Sequence, residues 1–196
     1  MDLNKTILLD SNVIAGVIAF GKDGNVSKKS EINSNEWIRS ISKLTALINK
    51  DPDNTRLIVP TPICYELMAW SEKWFKIVTE AKEYQHYFAY SSYDITNKFI
   101  KTAARYAYES QIRKGSDNEN NKIKTMDPLL AAYSIKFNYP IITLNKCDFP
   151  NSHFEVIGID LLNLISSNDL LNRRHRSILY LLKPKEETIN NFSNIK

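Results

Sequence analysis

Four acidic side chains stand at four separated segment boundaries, each after an apolar run or at the opening of a helix. They are Asp10 in Leu8-Leu9-Asp10-Ser11-Asn12, Glu66 in Pro62-Ile63-Cys64-Tyr65-Glu66, Asp127 in Thr125-Met126-Asp127-Pro128, and Asp148 in Asn145-Lys146-Cys147-Asp148-Phe149. Where apolar runs are parallel strands, their carboxyl ends share one edge of the sheet, and ligands bind in the crevice outside that edge. Acids far apart in sequence can meet there. A cluster of carboxylates repels itself and suits a hard divalent cation such as Mg²⁺ or Mn²⁺, which prefers oxygen ligands. The chemistry this predicts is metal-dependent phosphodiester hydrolysis, with one or two ions held by Asp10, Glu66, Asp127 and Asp148. Asn12, Thr143 and Asn145 carry no charge, and are expected to hold the ligands in place or to position substrate.

Each acid also has a plain structural reading. Asp127 before Pro128 is a good helix N-cap by chemistry alone. Asp148 fits a turn. Glu66 falls beyond the capping-box position if Thr61 is the cap, which leaves it no capping duty. Asp10 ends an apolar strand, where an acid is costly unless it lies at the rim or binds something.

Stepping outward, the elements that must carry these residues alternate. Ile7 to Leu9 reads as a buried strand, followed by a helix capped by Ser11 or Asn12. Polar residues 21–35 read as a loop. A helix is predicted from about Ser34 to Asn49 with Trp37, Ile38, Ile41, Leu44, Leu47 and Ile48 as its apolar stripe. Arg56 to Val59 is a second strand, and Thr61-Pro62 opens the helix of Glu66. The aromatic stretch from Trp70 to Tyr90 is expected to pack in the core. A helix is expected over residues 94–110 and a mobile loop over residues 115–121. Then come a helix from Asp127 to about Phe137, a third strand at Ile141 to Leu144 and a fourth at Phe154 to Ile157. This alternation predicts an α/β fold, a mainly parallel sheet covered by helices on both faces.

The same residues carry a family resemblance. The chain resembles the PIN-domain nucleases, in style the VapC-type toxin ribonucleases of toxin–antitoxin pairs. The match is made by Leu9-Asp10-Ser11-Asn12-Val13-Ile14, by Glu66 early in its helix, by Met126-Asp127-Pro128-Leu129-Leu130-Ala131-Ala132, and by Pro140-Ile141-Ile142-Thr143-Leu144-Asn145 leading to Asp148-Phe149, and it spans roughly residues 3 to 160. Asn145 departs from the pattern, standing where many members have an acid. The fourth carboxylate is then Asp148, or the site relies on three. The resemblance implies a three-layer PIN-like sandwich over residues 1–165 with a basic, helical C-terminal extension over residues 166–196. It also implies an RNA substrate, products ending in 5′-phosphate and 3′-hydroxyl, a homodimer, and an antitoxin partner that blocks the site.

Composition narrows the alternatives. A length of 196 residues fits one domain with an appendage, and the 43% hydrophobic and 24% charged content is ordinary for a soluble globular protein. Met1-Asp2-Leu3-Asn4-Lys5 leads into only a short apolar run, and no stretch approaches a membrane helix, so a cytoplasmic protein without membrane association is expected. Cys64 and Cys147 read as reduced thiols, and His86, His153 and His175 lack ligand spacing. The net charge of +4 resides in residues 170–196, where six Lys or Arg face two acids. There Arg173, Arg174 and Arg176 either contact nucleic-acid phosphates or form a solvated face. A haloacid-dehalogenase-type phosphatase would need a second Asp two residues beyond Asp10, where this chain has Asn12. Two further alternatives are a PIN-like binding module with an impaired site, recognising RNA or a protein without cutting, and a structure-specific DNA nuclease.

Overall fold

The computed structural model describes residues 6–17, 28–50, 55–70, 89–91, 101–107, 126–165 and 174–193. The expected loop at residues 115–121, residues 21–27 of the loop expected over 21–35, and most of the aromatic stretch at residues 70–90 lie outside them, while residues 28–35 of that expected loop are helix.

The centre of the molecule is set by the most apolar run. In β1 (Thr6–Leu9) the side chains of Ile7, Leu8 and Leu9 are fully buried, as expected of a strand covered on both faces. It pairs in parallel with β2 (Arg56–Pro60) on one side and β4 (Ile141–Thr143) on the other, and β2 pairs in parallel with β3 (Ala89–Ser91). β5 (Phe154–Ile165) and β6 (Arg174–Pro184) complete a six-stranded sheet in the order β3-β2-β1-β4-β6-β5.

Helices cross over between the parallel strands. They are α1 (Ser11–Val17), α2 (Lys28–Ala46), α3 (Thr61–Trp70) and α4 (Met126–Phe137), with a helical segment at residues 101–107. α1 begins directly after Asp10, whose carbonyl accepts the N–H groups of Val13 and Ile14. The first turn therefore closes on Asp10, ahead of both expected caps, Ser11 and Asn12, and the Asn12 side chain bonds to Asp10 and Leu144 instead. α1 packs against α2 through a close approach at Gly16, where a Cβ would lie 2.1 Å from Cε2 of Trp37. α2 begins earlier than expected. Its stripe buries Trp37, Ile41 and Leu44, but Leu47 is 62% exposed, because the helix ends at Ala46 and the chain tightens into a Leu44–Leu47 turn. α4 ends at Asn138, whose positive φ of 54° suits asparagine and turns the chain into β4.

The sheet departs from expectation at its C-terminal side. The fourth strand runs on to Ile165 and pairs antiparallel with β6, which itself pairs antiparallel with β4. A helical extension after residue 165 was expected. Residues 174–184 are instead a strand that buries Leu179, Leu181 and Leu182 in the common core, and helix α5 (Glu186–Ser193) follows. The reason lies in two strand signals, the alternation Ile157, Ile159, Leu161 across Gly158 and Asp160, and the short continuous apolar run Ile178-Leu179-Tyr180-Leu181-Leu182, too short for a helix. Among the described residues no helix is long and apolar enough to cross a membrane.

Candidate active site

Parallel pairing fixes where the acids stand. β1, β2 and β4 run in the same direction, so Asp10 after Leu9, α3 after Pro60 and Asn145 to Asp148 after Thr143 all leave one sheet edge. α4 enters β4 through a short connection and so runs back along it, which puts the first turn, with Asp127, at that edge too. α3, which carries Glu66, packs against α4 and α1. The chain order thus turns all four acids toward one sheet edge.

Around Asp10 the arrangement is detailed. The β1–β4 register sets Leu9 beside Ile142, and the Asp10 N–H donates to the Ile142 carbonyl at 3.1 Å, which brings Asp10 level with Thr143. The Thr143 hydroxyl donates to Oδ2 of Asp10 at 2.6 Å, and the Asn12 amide donates to the same oxygen at 2.7 Å. Oδ1 accepts the Ser11 N–H at 2.7 Å. Thr143 Oγ1 in turn accepts the Asn145 N–H at 2.9 Å, and Asn12 Oδ1 accepts the Leu144 N–H at 3.2 Å. Asn145 donates its side-chain amide to Oδ2 of Asp148. The expected supporting residues Asn12, Thr143 and Asn145 thus form one chain of hydrogen bonds that links Asp10 to Asp148.

Asp148 lies in a one-turn 3-10 helix, Lys146–Asp148, followed by buried Phe149. Its carbonyl accepts the hydroxyl of Tyr106 at 2.9 Å, and the Tyr106 ring packs edge-on to Phe154. Sequence reasoning missed Tyr106. Its partner is 42 residues away, and one tyrosine in an amphipathic segment looks like any other core residue.

The electrostatics of Asp10 follow from its surroundings. It is 3% exposed, and burial pushes its carboxyl above the ordinary carboxylate range. The hydrogen bonds from Thr143, Ser11 and Asn12 pull it back, and the negative charge of Asp148 pushes it up again. None of these influences is a cation.

Glu66 and Asp127 are half-buried, and Oε2 of Glu66 and Oδ2 of Asp127 are each shielded from solvent without a hydrogen bond at that atom, while both residues interact elsewhere. Among the described residues, no three His, Cys, Asp or Glu side chains are already gathered as a metal-holding group. The donor types fit a hard divalent ion: carboxylates at one edge, one of them buried with no cation acting on it.

Arg173 and the side chain of Arg174 lie outside the described residues. Arg176 is exposed on β6. No family model matches this chain, and no curated protein and no solved structure is significantly similar to it.

Proposed function

We propose that this protein is a Mg²⁺- or Mn²⁺-dependent ribonuclease of the PIN-like kind, acting at the sheet edge toward which the topology turns Asp10, Glu66, Asp127 and Asp148. The observation that carries the reading is the hydrogen-bonded chain from Asp10 through Thr143 and Asn145 to Asp148. Two acids from different segments are held at fixed places by neutral donors, and the more buried of them has no cation beside it. Asp10 and Asp148 would bind the ion, with Glu66 and Asp127 completing its oxygen ligands. When bound, a divalent ion supplies Lewis-acid polarisation of a phosphate and a more acidic water.

The chain's own residues do the rest. Thr143 and Asn12 fix the orientation of Oδ2 of Asp10, and the Ser11 N–H fixes Oδ1. Asn145 orients Asp148 and, through its backbone N–H, the Thr143 hydroxyl. No lysine or cysteine nucleophile is needed. RNA as substrate, products with 5′-phosphate and 3′-hydroxyl ends, a cytoplasmic location, an antitoxin partner and a role for Arg173, Arg174 and Arg176 on phosphates belong to this reading through the PIN resemblance.

One specific observation favours a second reading, a PIN-like module that binds RNA without cutting. Asn145 stands where many members of the family it resembles have an acid, and an amide brings no charge to a metal. Cleavage of single-stranded RNA, with flap and hairpin DNA offered in parallel, separates the readings. The nuclease reading expects cutting that requires Mg²⁺ or Mn²⁺, stops in EDTA and is lost in Asp10→Asn. RNA binding without cleavage at any metal concentration supports the binding module.

A further inference from the structure

Of the acids at the edge, Asp148 sits on the weakest local structure. It ends the one-turn 3-10 helix Lys146–Asp148, where the Asp148 N–H donates to the Asn145 carbonyl at 3.2 Å and the Phe149 N–H to the Lys146 carbonyl at 3.0 Å. So short a helix does not fix its own shape, and the carbonyl groups at its end find no partner within it. The Asp148 carboxylate accepts the side-chain amide of Asn145, three residues earlier in the same loop, and the Asn145 N–H ties that residue to Thr143 of β4. These bonds secure the entry of the loop. Its exit is secured by Tyr106, whose hydroxyl donates to the Asp148 carbonyl at 2.9 Å.

Tyr106 is itself held from several sides. It is 1% exposed, with its ring centroid 5.3 Å from that of His153 and 6.2 Å, edge-on, from that of Phe154. Phe154 meets Phe149 edge-on at 5.4 Å, so the ring that follows Asp148 joins the same cluster. His153 stands edge-on to Phe192 of α5, its Nδ1 lies 3.5 Å from the hydroxyl of buried Thr188, and its carbonyl accepts the Lys185 N–H at 2.9 Å. The Arg105 guanidinium lies 5.1 Å from the centroid of the Phe192 ring, joining residues 101–107 to α5 directly. Close-packed rings keep to one rotamer, so the place of the Tyr106 hydroxyl is set by three segments at once. A phenylalanine would fill the ring's space. What the hydroxyl adds is a bond to the main chain of an acid whose charge acts on Asp10.

We propose that Tyr106 is a positioning residue of the metal site, whose hydroxyl, anchored among His153, Phe154 and α5, holds the Asp148 main chain so that the carboxylate is in place before an ion arrives. The inference rests on the nuclease reading, in which Asp148 is a ligand. It predicts an effect on metal affinity rather than on rate. An ion that binds a loosely held acid must first order it, and its apparent affinity falls with the fraction of molecules already in the competent arrangement. Once bound, the ion itself fixes the acid.

Tyr106→Phe keeps the ring and deletes only the hydroxyl. Calorimetric titration with Mn²⁺ should show affinity reduced roughly tenfold, the scale of one lost hydrogen bond behind a ligand, while RNA cleavage at saturating Mn²⁺ keeps the wild-type rate. Hydrogen exchange in EDTA reads the tether without metal. The Asp148 and Phe149 amides should exchange faster in the variant, while the Leu8 and Asp10 amides, bonded between β1 and β4, keep their protection. A wild type that binds no Mn²⁺ overturns the nuclease reading and this inference together. Equal Mn²⁺ affinity in wild type and Tyr106→Phe overturns this inference alone. Protection lost equally from β1 and from the Asp148 loop makes Tyr106 a core residue only, and overturns it as well.

Discussion

Asp10 and Asp160 are both held by side chains of other segments, yet their carboxyl groups are pushed in opposite directions. Asp10 is sealed at the end of β1 and receives only neutral donors, the hydroxyl of Thr143, the amide of Asn12 and the N–H of Ser11. Burial dominates and lifts it above the ordinary range. Asp160 stands near the surface on β5. Burial is the largest single influence and lifts it, but the Ser40 hydroxyl, the Lys43 ammonium and the Leu161 N–H together outweigh it and hold the group below the ordinary range. The protein supplies a cation to the acid that fastens α2 to the sheet. Among the described residues it supplies none to Asp10. A carboxylate that a fold has buried, oriented with neutral donors and placed near Asp148 is suited to take its counter-charge from outside, and that is what a divalent ion provides.

The sharpest way to break this comparison is substitution at the two acids. Asp10→Asn should abolish metal-dependent RNA cleavage, a loss larger than the roughly 10–100-fold typical of a residue that only orients a ligand. Asp160→Asn should leave the cleavage rate unchanged. Equal losses at the two positions, assayed on folded proteins, would erase the distinction.

Next in size is the layer that orients Asp10. Thr143→Val removes the hydroxyl that donates to Oδ2 and accepts from Asn145, and Asn145→Ala releases Asp148. Each should lower cleavage by roughly 10–100-fold and raise the metal concentration needed for half-maximal rate. Metal titrations of activity check this. If Asn145→Ala proved more damaging than Asp10→Asn, the assignment of the metal ligands would be wrong.

How much of this was legible beforehand depends on the range of the interaction. β1, α3, α4 and β4 were readable because buried runs, a Thr-Pro opening and an Asp-Pro opening are local signals, and the shared edge follows from parallel order alone. The exit of Asp10, Glu66, Asp127 and Asp148 at that edge was therefore accessible, and so was the supporting place of Asn12, Thr143 and Asn145. The bond between Tyr106 and the Asp148 carbonyl depends on tertiary packing and left no trace in spacing. The C-terminal strands were misjudged for a different reason. The basic run Arg173-Arg174-His175-Arg176 reads as a charged extension, whereas the short apolar run Ile178-Leu179-Tyr180-Leu181-Leu182 after it specifies β6, which inserts between β4 and β5. Leu47 belongs to the predicted stripe by spacing, but the helix stops one residue earlier.

Smaller effects concern stability and acidity. Lys43 is half exposed, so its ion pair with Asp160 should contribute no more than about 1 kcal/mol. The Asp160 carboxyl is depressed in the folded state. That contribution is present above the ordinary carboxylate range and is lost as pH falls through the folded value. Asp10 runs the other way. Because its folded-state carboxyl is raised, the native state binds the extra proton, and stability in chelator should decline as pH rises from the unfolded value of 3.8 through the raised folded value. Denaturant unfolding of wild type, Asp10→Asn and Asp160→Asn from acid to neutral pH checks both signs. Each variant should lack only its own segment of the profile.

The central claim, that Asp10 takes its counter-charge from a divalent cation, is tested most directly by thermal unfolding of wild type and Asp10→Asn in EDTA and across a Mg²⁺ or Mn²⁺ titration at neutral pH. Binding to the folded state raises the melting temperature with ligand concentration. Asp10→Asn removes a buried charge, so in chelator it should melt above the wild type, and its response to metal should shrink toward zero while the wild type rises steadily. An Asp10→Asn protein that melts clearly below the wild type in chelator and gains as much from metal would make Asp10 a structural residue and contradict the account.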